Sequence, residues 1–252
     1  MKGIIGYIPN ALTCISLMFG FYASILGISG DYSNAMLAIF AAAVFDFLDG
    51  FAARLFKAFS PIGKDLDSLS DMVSFGVAPG MMLFSFLDNM LHSSFDNIGI
   101  YKLLLLPAFA IPVLSALRLA KFNIDVRQKT SFIGLPVPAH AIFWASLIAA
   151  LSPYYTDFLH KTDTLFSDIL SGIPLLVLIV SLSVLAVFSS LLLVSEIPMF
   201  SLKITSLRWK DAKMQYILIL SSIILVAITG IIGISATILL YILLSVLNSK
   251  KS

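Results

Sequence analysis

The chain holds one cysteine, three histidines and a single glutamate among its 252 residues, and only 12% of the residues are Asp, Glu, Lys or Arg. Cys14 has no partner within the chain, so an internal disulfide is excluded and cysteine usage says nothing about redox compartment. A soluble domain of this length carries about twice that fraction of charge. The net charge of +2 is too small to argue for a nucleic-acid partner. Internal repeats, low-complexity tracts and a recognisable soluble domain are also missing.

In their place stands apolar sequence: 59% hydrophobic residues and a mean hydropathy of +1.00. Runs long enough to cross about 30 Å of hydrocarbon fall at roughly 8–29, 33–57, 67–90, 100–122, 135–156, 171–194, 215–231 and 232–248. Gly230 and Gly233 make the last two either a tight hairpin or one interrupted span. The opening run is long for a signal peptide and lacks a small-x-small cleavage site, so it reads as the first span. Isolated strands cannot satisfy their backbone in lipid. The expected fold is therefore all-α, a polytopic membrane helix bundle of about eight transmembrane helices.

Basic residues set the expected orientation. Lys2, the Arg54–Lys64 group, the Arg118–Lys129 group, the Lys203–Lys213 group and Lys250–Lys251 all fall on one face, which leaves only Lys102 and Lys161 for the other. Fourteen against two is a strong positive-inside bias. Both termini are expected in the cytoplasm and the protein in the cell membrane.

Against this background, residues 46–71 stand out, because carboxylates inside a bilayer are costly and mark function by default. Asp46, Asp49, Gly50 and Ala53 share one helical face with Arg54 at its margin. Gly63, Asp67 and Asp71 repeat the pattern after a break at Ser60-Pro61. Two carboxylates on each of two consecutive helices can converge, and their mutual repulsion calls for a cation. No Cys or His stands in the cluster. Oxygen-only ligation favours a hard ion, Mg²⁺ or Mn²⁺, and four carboxylates are enough for two ions. Gly50 and Gly63 let a large ligand approach the backbone, and Arg54 offers a planar cationic fork for phosphate. Asp46 lies about 12 Å along the helix from Arg54 at 1.5 Å per residue, which puts the site just beneath the cytoplasmic surface.

The full spacing, D-x2-D-G-x2-A-R-x8-G-x3-D-x3-D, resembles the signature of the CDP-alcohol phosphotransferases, membrane enzymes that move a phosphatidyl or similar group from a CDP-activated donor to an alcohol and release CMP. All eight specified residues are present. The stretch LDSLSDMVSFGVAPG (residues 66–80), together with ALRLAKFN (116–123) and FIGLPVPA (132–139), resembles the integral-membrane phosphatidylserine synthase branch. The resemblance implies a six-helix catalytic core within residues 1–202, with residues 203–252 adding a basic loop and C-terminal helices. It implies that Asp46, Asp49, Asp67 and Asp71 hold two divalent ions and that Gly50, Ala53, Arg54 and Gly63 meet the CDP and phosphate groups. CDP-diacylglycerol is the implied donor, L-serine the acceptor, and a homodimer the implied assembly.

By the same resemblance Asp71 is the general base. A carboxylate beside cations is a weak base, so proton removal is either concerted with attack or Asp71 chiefly orients the hydroxyl.

Pro9-Asn10-Ala11-Leu12-Thr13 opens the first span, with Asn10 readable as an N-cap and Thr13 as a hydroxyl bonding its own helix. The resemblance adds contact with the CDP head group for both. Arg118 and Lys121 complement the end of the fourth helix and snorkel to the interface. With Asn123 they are also the candidate acceptor-binding residues, since serine brings a carboxylate. His140 is expected to pack, and the Ser195-Glu196-Ile197-Pro198 stretch reads as connection. Another phosphorylated or choline-type acceptor is the rival within the family. A divalent-cation transporter is the rival outside it, and would need intramembrane acids beyond the second and third spans.

Overall fold

The computed structural model describes residues 6–58, 60–92, 99, 101–125, 132–152, 175–200 and 213–249. Residues 201–212 and the basic residues at both termini lie outside them, as does the charge asymmetry to that extent. The described chain is helical, in eight rods. They are α1 (Ile8–Ile28), α2 (Tyr32–Phe56), α3 (Pro61–Asp71) running through a π-helical turn (Met72–Val77) into α4 (Ala78–His92), a 3₁₀ segment (Tyr101–Phe109) continuing as α5 (Ala110–Ile124), α6 (Val137–Leu151), α7 (Leu175–Val194), α8 (Lys213–Thr229) and α9 (Ile232–Ser249).

Five rods are long and apolar enough to cross a membrane: Ile8–Ile28, Tyr32–Phe56, Ile62–His92, Lys102–Ile124 and Leu176–Val194. The expectation of eight spans is corrected accordingly. Helix α6 has 15 residues, about 22 Å at 1.5 Å per residue, which is short of the hydrocarbon thickness. Helices α8 and α9 are also among the shorter apolar helices. They form two separate rods packed on each other. Gly230 makes the turn at φ +63°, and a Cβ at Gly233 would stand 2.6 Å from the Leu225 carbonyl. The hairpin alternative therefore holds.

The short α6 is the most enclosed rod. His140, Ala141, Phe143, Trp144, Ala145 and Ile148 are all buried, as befits a helix that is apolar all round. Here His140 is a packing residue, as expected: Trp144 Nε1 donates to His140 Nε2 (3.2 Å), and Ser189 Oγ of α7 lies 3.0 Å from the same nitrogen. Large side chains such as Phe47, Phe51, Leu55, Val184 and Phe188 instead face outward, the arrangement that a lipid environment permits and water penalises.

Small residues bring α1 against its neighbours. Its buried stripe runs Pro9, Thr13, Ser16, Gly20, Ala23, Gly27, and a Cβ added at Gly20 would stand 2.5 Å from Ser74 Cα. Such close approach is how membrane helices associate without a hydrophobic driving force. Hydroxyls then cross the gap: Ser16 Oγ donates to Ala42 O (2.9 Å), Ser70 Oγ to Thr13 O (3.2 Å) and Ser74 Oγ to Ser16 O (3.1 Å). One exception to the helical architecture is a two-stranded antiparallel ribbon, β1 (Phe132–Ile133) with β2 (Pro198–Met199).

Candidate active site

The reversal between α2 and α3 builds the site. Helix α2 ends with Lys57 in the left-handed conformation, φ 50° and ψ 39°, its N–H directed at the carbonyls of Ala53 and Arg54. A non-glycine residue rarely sits there, and the tight stop turns the chain at once. Ser60 then caps α3, its hydroxyl accepting from Gly63 N at 3.0 Å, with Pro61 at the first helical position. The acidic faces of α2 and α3 meet as a result.

Asp46, Asp49 and Asp67 each present a carboxylate oxygen within 4.8 Å of the others. Asp49 is 6% exposed, and Thr13 Oγ1 of α1 donates to its Oδ2 at 2.6 Å, with Pro9 O an alternative acceptor 3.0 Å from the same hydroxyl. Thr13 is thus within reach of its own helix, as expected, and of the acids as well. Asp71 lies outside the trio but interacts electrostatically with Asp46. Its Oδ1 is buried without a hydrogen-bond partner. Three converging carboxylates make a candidate divalent-cation site of all-oxygen donors, the set that hard ions prefer. A buried acceptor with nothing donating to it adds to that fit, because such a group is costly unless something neutralises it.

A cleft of about 240 Å³ adjoins the acids. Its lining includes Asn10, Thr13, Gly50, Ala53, Arg54 and Gly63, all six residues that the sequence assigns to the CDP and phosphate groups. Asp49 and Asp67 belong to both the trio and the cleft. Asn10 is not a cap: α1 begins at Ile8 behind Tyr7, and Asn10 lies inside its first turn. The reason is Pro9, whose fixed φ suits the first helical turn and moves the start upstream. A Cβ at Gly63 would come within 2.9 Å of Asn10 Oδ1 and 3.0 Å of Ser60 Oγ, so the glycine keeps the floor of the cleft open. Sequence reasoning treated Lys64 only as a topology marker, yet it lines this cleft beside Arg54. Its position directly after the motif glycine was the available signal.

The proposed acceptor residues divide. Arg118, 5% exposed, and Lys121 line a second cleft of about 340 Å³ with Asp125, Ser195 and Glu196. The Arg118 guanidinium lies 5.1 Å from the centre of the Phe122 ring, a cation–π distance. Asn123 is not in that lining. Its side chain donates to Ser68 Oγ (2.8 Å), and its carbonyl accepts from Lys64 Nζ (3.2 Å), tying α5 to α3. Farther along, Gly76 and Ser115 are in close contact, a Cβ on the glycine falling 3.1 Å from Ser115 Cβ. The separation of Ser115 from Asn123 equals that of Ser68 from Gly76, so the two rods run antiparallel in matched register. Arg118 accordingly stands about level with Val73 along the paired rods.

A multi-helix apolar bundle with converging carboxylates beside a cleft that also carries Arg54 and Lys64 defines a membrane protein with a candidate divalent-cation site. Residues 6–167 match the family described as CDP-alcohol phosphatidyltransferase. The chain belongs to the CDP-alcohol phosphatidyltransferase family.

Among its relatives is a protein of Bacillus subtilis named CDP-diacylglycerol–serine O-phosphatidyltransferase, 37% identical over 132 residues that cover 52% of this chain and 70% of the relative. A protein of Methanocaldococcus jannaschii with the same name is 33% identical over 147 residues, 58% of this chain and 63% of the relative. An archaetidylserine synthase of Methanothermobacter thermautotrophicus is 31% identical over 152 residues, 60% of each. The matched stretch therefore spans 60–70% of these relatives.

Proposed function

We propose that the protein transfers the phosphatidyl group of CDP-diacylglycerol to the hydroxyl of L-serine, giving phosphatidylserine and CMP. The observation that carries this reading is the continuity of the acidic trio with the Arg54–Lys64 cleft through Asp49 and Asp67. The acceptor follows from the relatives, whose names share serine, and from the motifs after Asp71.

In this proposal Asp46, Asp49, Asp67 and Asp71 hold two divalent ions, Mg²⁺ or Mn²⁺. When bound, these ions supply Lewis acidity to the phosphate oxygens and stabilise charge on the departing phosphate. Arg54 and Lys64 pair with the remaining phosphate charge, while Asn10, Thr13, Gly50, Ala53 and Gly63 shape the pocket for the nucleotide. Arg118 and Lys121 draw the serine carboxylate, and Asn123 fixes the end of α5 against α3. The serine oxygen forms a bond to the phosphorus that bears diacylglycerol, and the bond from that phosphorus to the CMP oxygen breaks. Asp71 orients the hydroxyl and receives its proton as attack proceeds. Alignment of nucleophile and leaving group is the site's main contribution.

The lipid tails stay in the bilayer and the nucleotide reaches water, which requires the α2–α3 turn to face the cytoplasm, the side that the basic residues select. The reading extends to a homodimer in the cell membrane. Purified protein in vesicles, given CDP-diacylglycerol and a panel of alcohols, should release CMP with L-serine in preference to glycerol 3-phosphate, inositol phosphate or choline. Metal flux without CMP release would favour a transporter instead.

A further inference from the structure

Two stretches that this chemistry leaves without a task, Phe132–Ala139 and Ser195–Pro198, fold onto one another. Phe132 pairs with Met199 and Ile133 with Pro198. Gly134 N then donates to Ile197 O (2.9 Å), and Leu135 N to Leu192 O (3.0 Å). Gly134 adopts φ +78°, and a Cβ there would fall 2.5 Å from Leu193 O and 2.9 Å from Ser195 O. Only glycine meets both demands. Ser195 Oγ also donates to Leu192 O at 2.8 Å. Backbone bonds thus bracket Glu196 on both sides.

That anchoring places Glu196 at one wall of the 340 Å³ cleft whose other wall is the end of α5. The α5 wall carries Arg118, Lys121 and Asp125, a net positive surface in which Asp125 interacts electrostatically with Arg118. The facing wall carries the chain's single glutamate, exposed to the cleft. Walls of opposite sign across a small cleft complement a small molecule that bears both signs.

We propose that Glu196 is a specificity-determining residue that receives the ammonium group of a zwitterionic hydroxy amino acid whose carboxylate faces Arg118 and Lys121. The inference rests on the serine-transfer reading and deepens it. The ribbon's role is to hold Glu196 at a fixed distance from α5, so that the two charged ends of the molecule are gripped and its hydroxyl is left to reach the phosphate.

The test uses the full chain in vesicles with CDP-diacylglycerol and Mg²⁺, and reads CMP release with L-serine and with 3-hydroxypropanoate, which keeps the hydroxyl and carboxylate but lacks the ammonium. Glu196→Gln should raise the KM for serine about tenfold or more, the loss expected for one charge-assisted hydrogen bond. Its kcat, its KM for the lipid donor and its thermal stability should stay within about twofold or a few degrees of wild type. The wild-type preference for serine over 3-hydroxypropanoate should collapse, and Glu196→Asp should recover part of it. A serine KM that does not move, or one that rises together with the donor KM, overturns the assignment and leaves the serine-transfer reading intact. A wild-type protein that releases no CMP with serine overturns both.

Discussion

Thr13 Oγ1 donates to Asp49 Oδ2 across 2.6 Å, which couples the first helix to the carboxylates of the second. Both residues are buried, at 3% and 6% exposure, so the hydrogen bond is largely shielded from competition by water. Hydrogen bonds to charged groups contribute about 1.5–3 kcal/mol, and more is lost when the remaining partner stays buried. Thr13→Val keeps the shape and removes the donor. It should lower the melting temperature in detergent and raise the Mg²⁺ concentration needed for half-maximal CMP release several-fold, because Asp49 loses the contact that fixes its oxygen. An unchanged Mg²⁺ requirement would confine Thr13 to helix packing.

Asp67→Asn separates the energetic cost of the site from its use. The carboxylate oxygens lie within 4.8 Å of one another, and two unit charges at about that distance repel by about 3 kcal/mol at an effective dielectric of ~20. Removing one carboxylate should therefore raise the melting temperature in the presence of EDTA and abolish the further rise on adding Mg²⁺. Turnover should be lost with the fold intact. A variant that kept near-normal CMP release would refute metal binding by this cluster.

The acidic face is legible in the sequence because carboxylates at i, i+3 on one helix and i, i+4 on the next, in apolar surroundings, leave few alternatives: Asp46, Asp49, Asp67 and Asp71 have to meet something other than lipid. The cleft residues are legible through spacing for the same reason. Hydropathy fails at α6, where an apolar run continues past the end of the described helix. Burial within protein demands the same residues as burial in lipid, so Ala141 and Trp144 carry no label that separates the two. The π-helical turn after Asp71 has no compositional signal of its own. The ribbon is hidden because each strand has two residues and pairs across a large gap in sequence. Ser70 and Ser74, which bind α1 carbonyls, are easily passed over although each stands three residues after an acid, Asp67 or Asp71, on the adjoining helical face.

Glycine positions give a paired test of packing against function. At Gly20 the added methyl of alanine meets backbone, Ser74 Cα at 2.5 Å, which cannot rotate away. Alanine's better helix propensity is worth only about 1 kcal/mol, and overpacking costs about 1–3 kcal/mol or more. Gly20→Ala should accordingly destabilise the protein, with loss of the Ser74–Ser16 hydrogen bond. At Gly50 the nearest atom is Arg54 Nη1 at 3.4 Å, the end of a flexible side chain. Gly50→Ala should leave the melting temperature equal or higher, yet lower activity by narrowing the phosphate cleft. Equal melting temperatures for both variants would contradict the close contact between α1 and the π-helical turn.

Arg118 tests whether the second cleft serves the acceptor. Its burial is expensive for a guanidinium and is more than a snorkelling side chain at a helix end requires. The contacts of α5 with α3 place it about level with Val73 along the paired rods. If its task is to hold a carboxylate, Arg118→Ala should raise the KM for serine about tenfold or more while the KM for CDP-diacylglycerol changes little. Arg118→Lys should restore charge without the planar fork and recover only part of the affinity. A parallel rise in both KM values would instead show that Arg118 supports the bundle. No change in either would return it to a purely topological role.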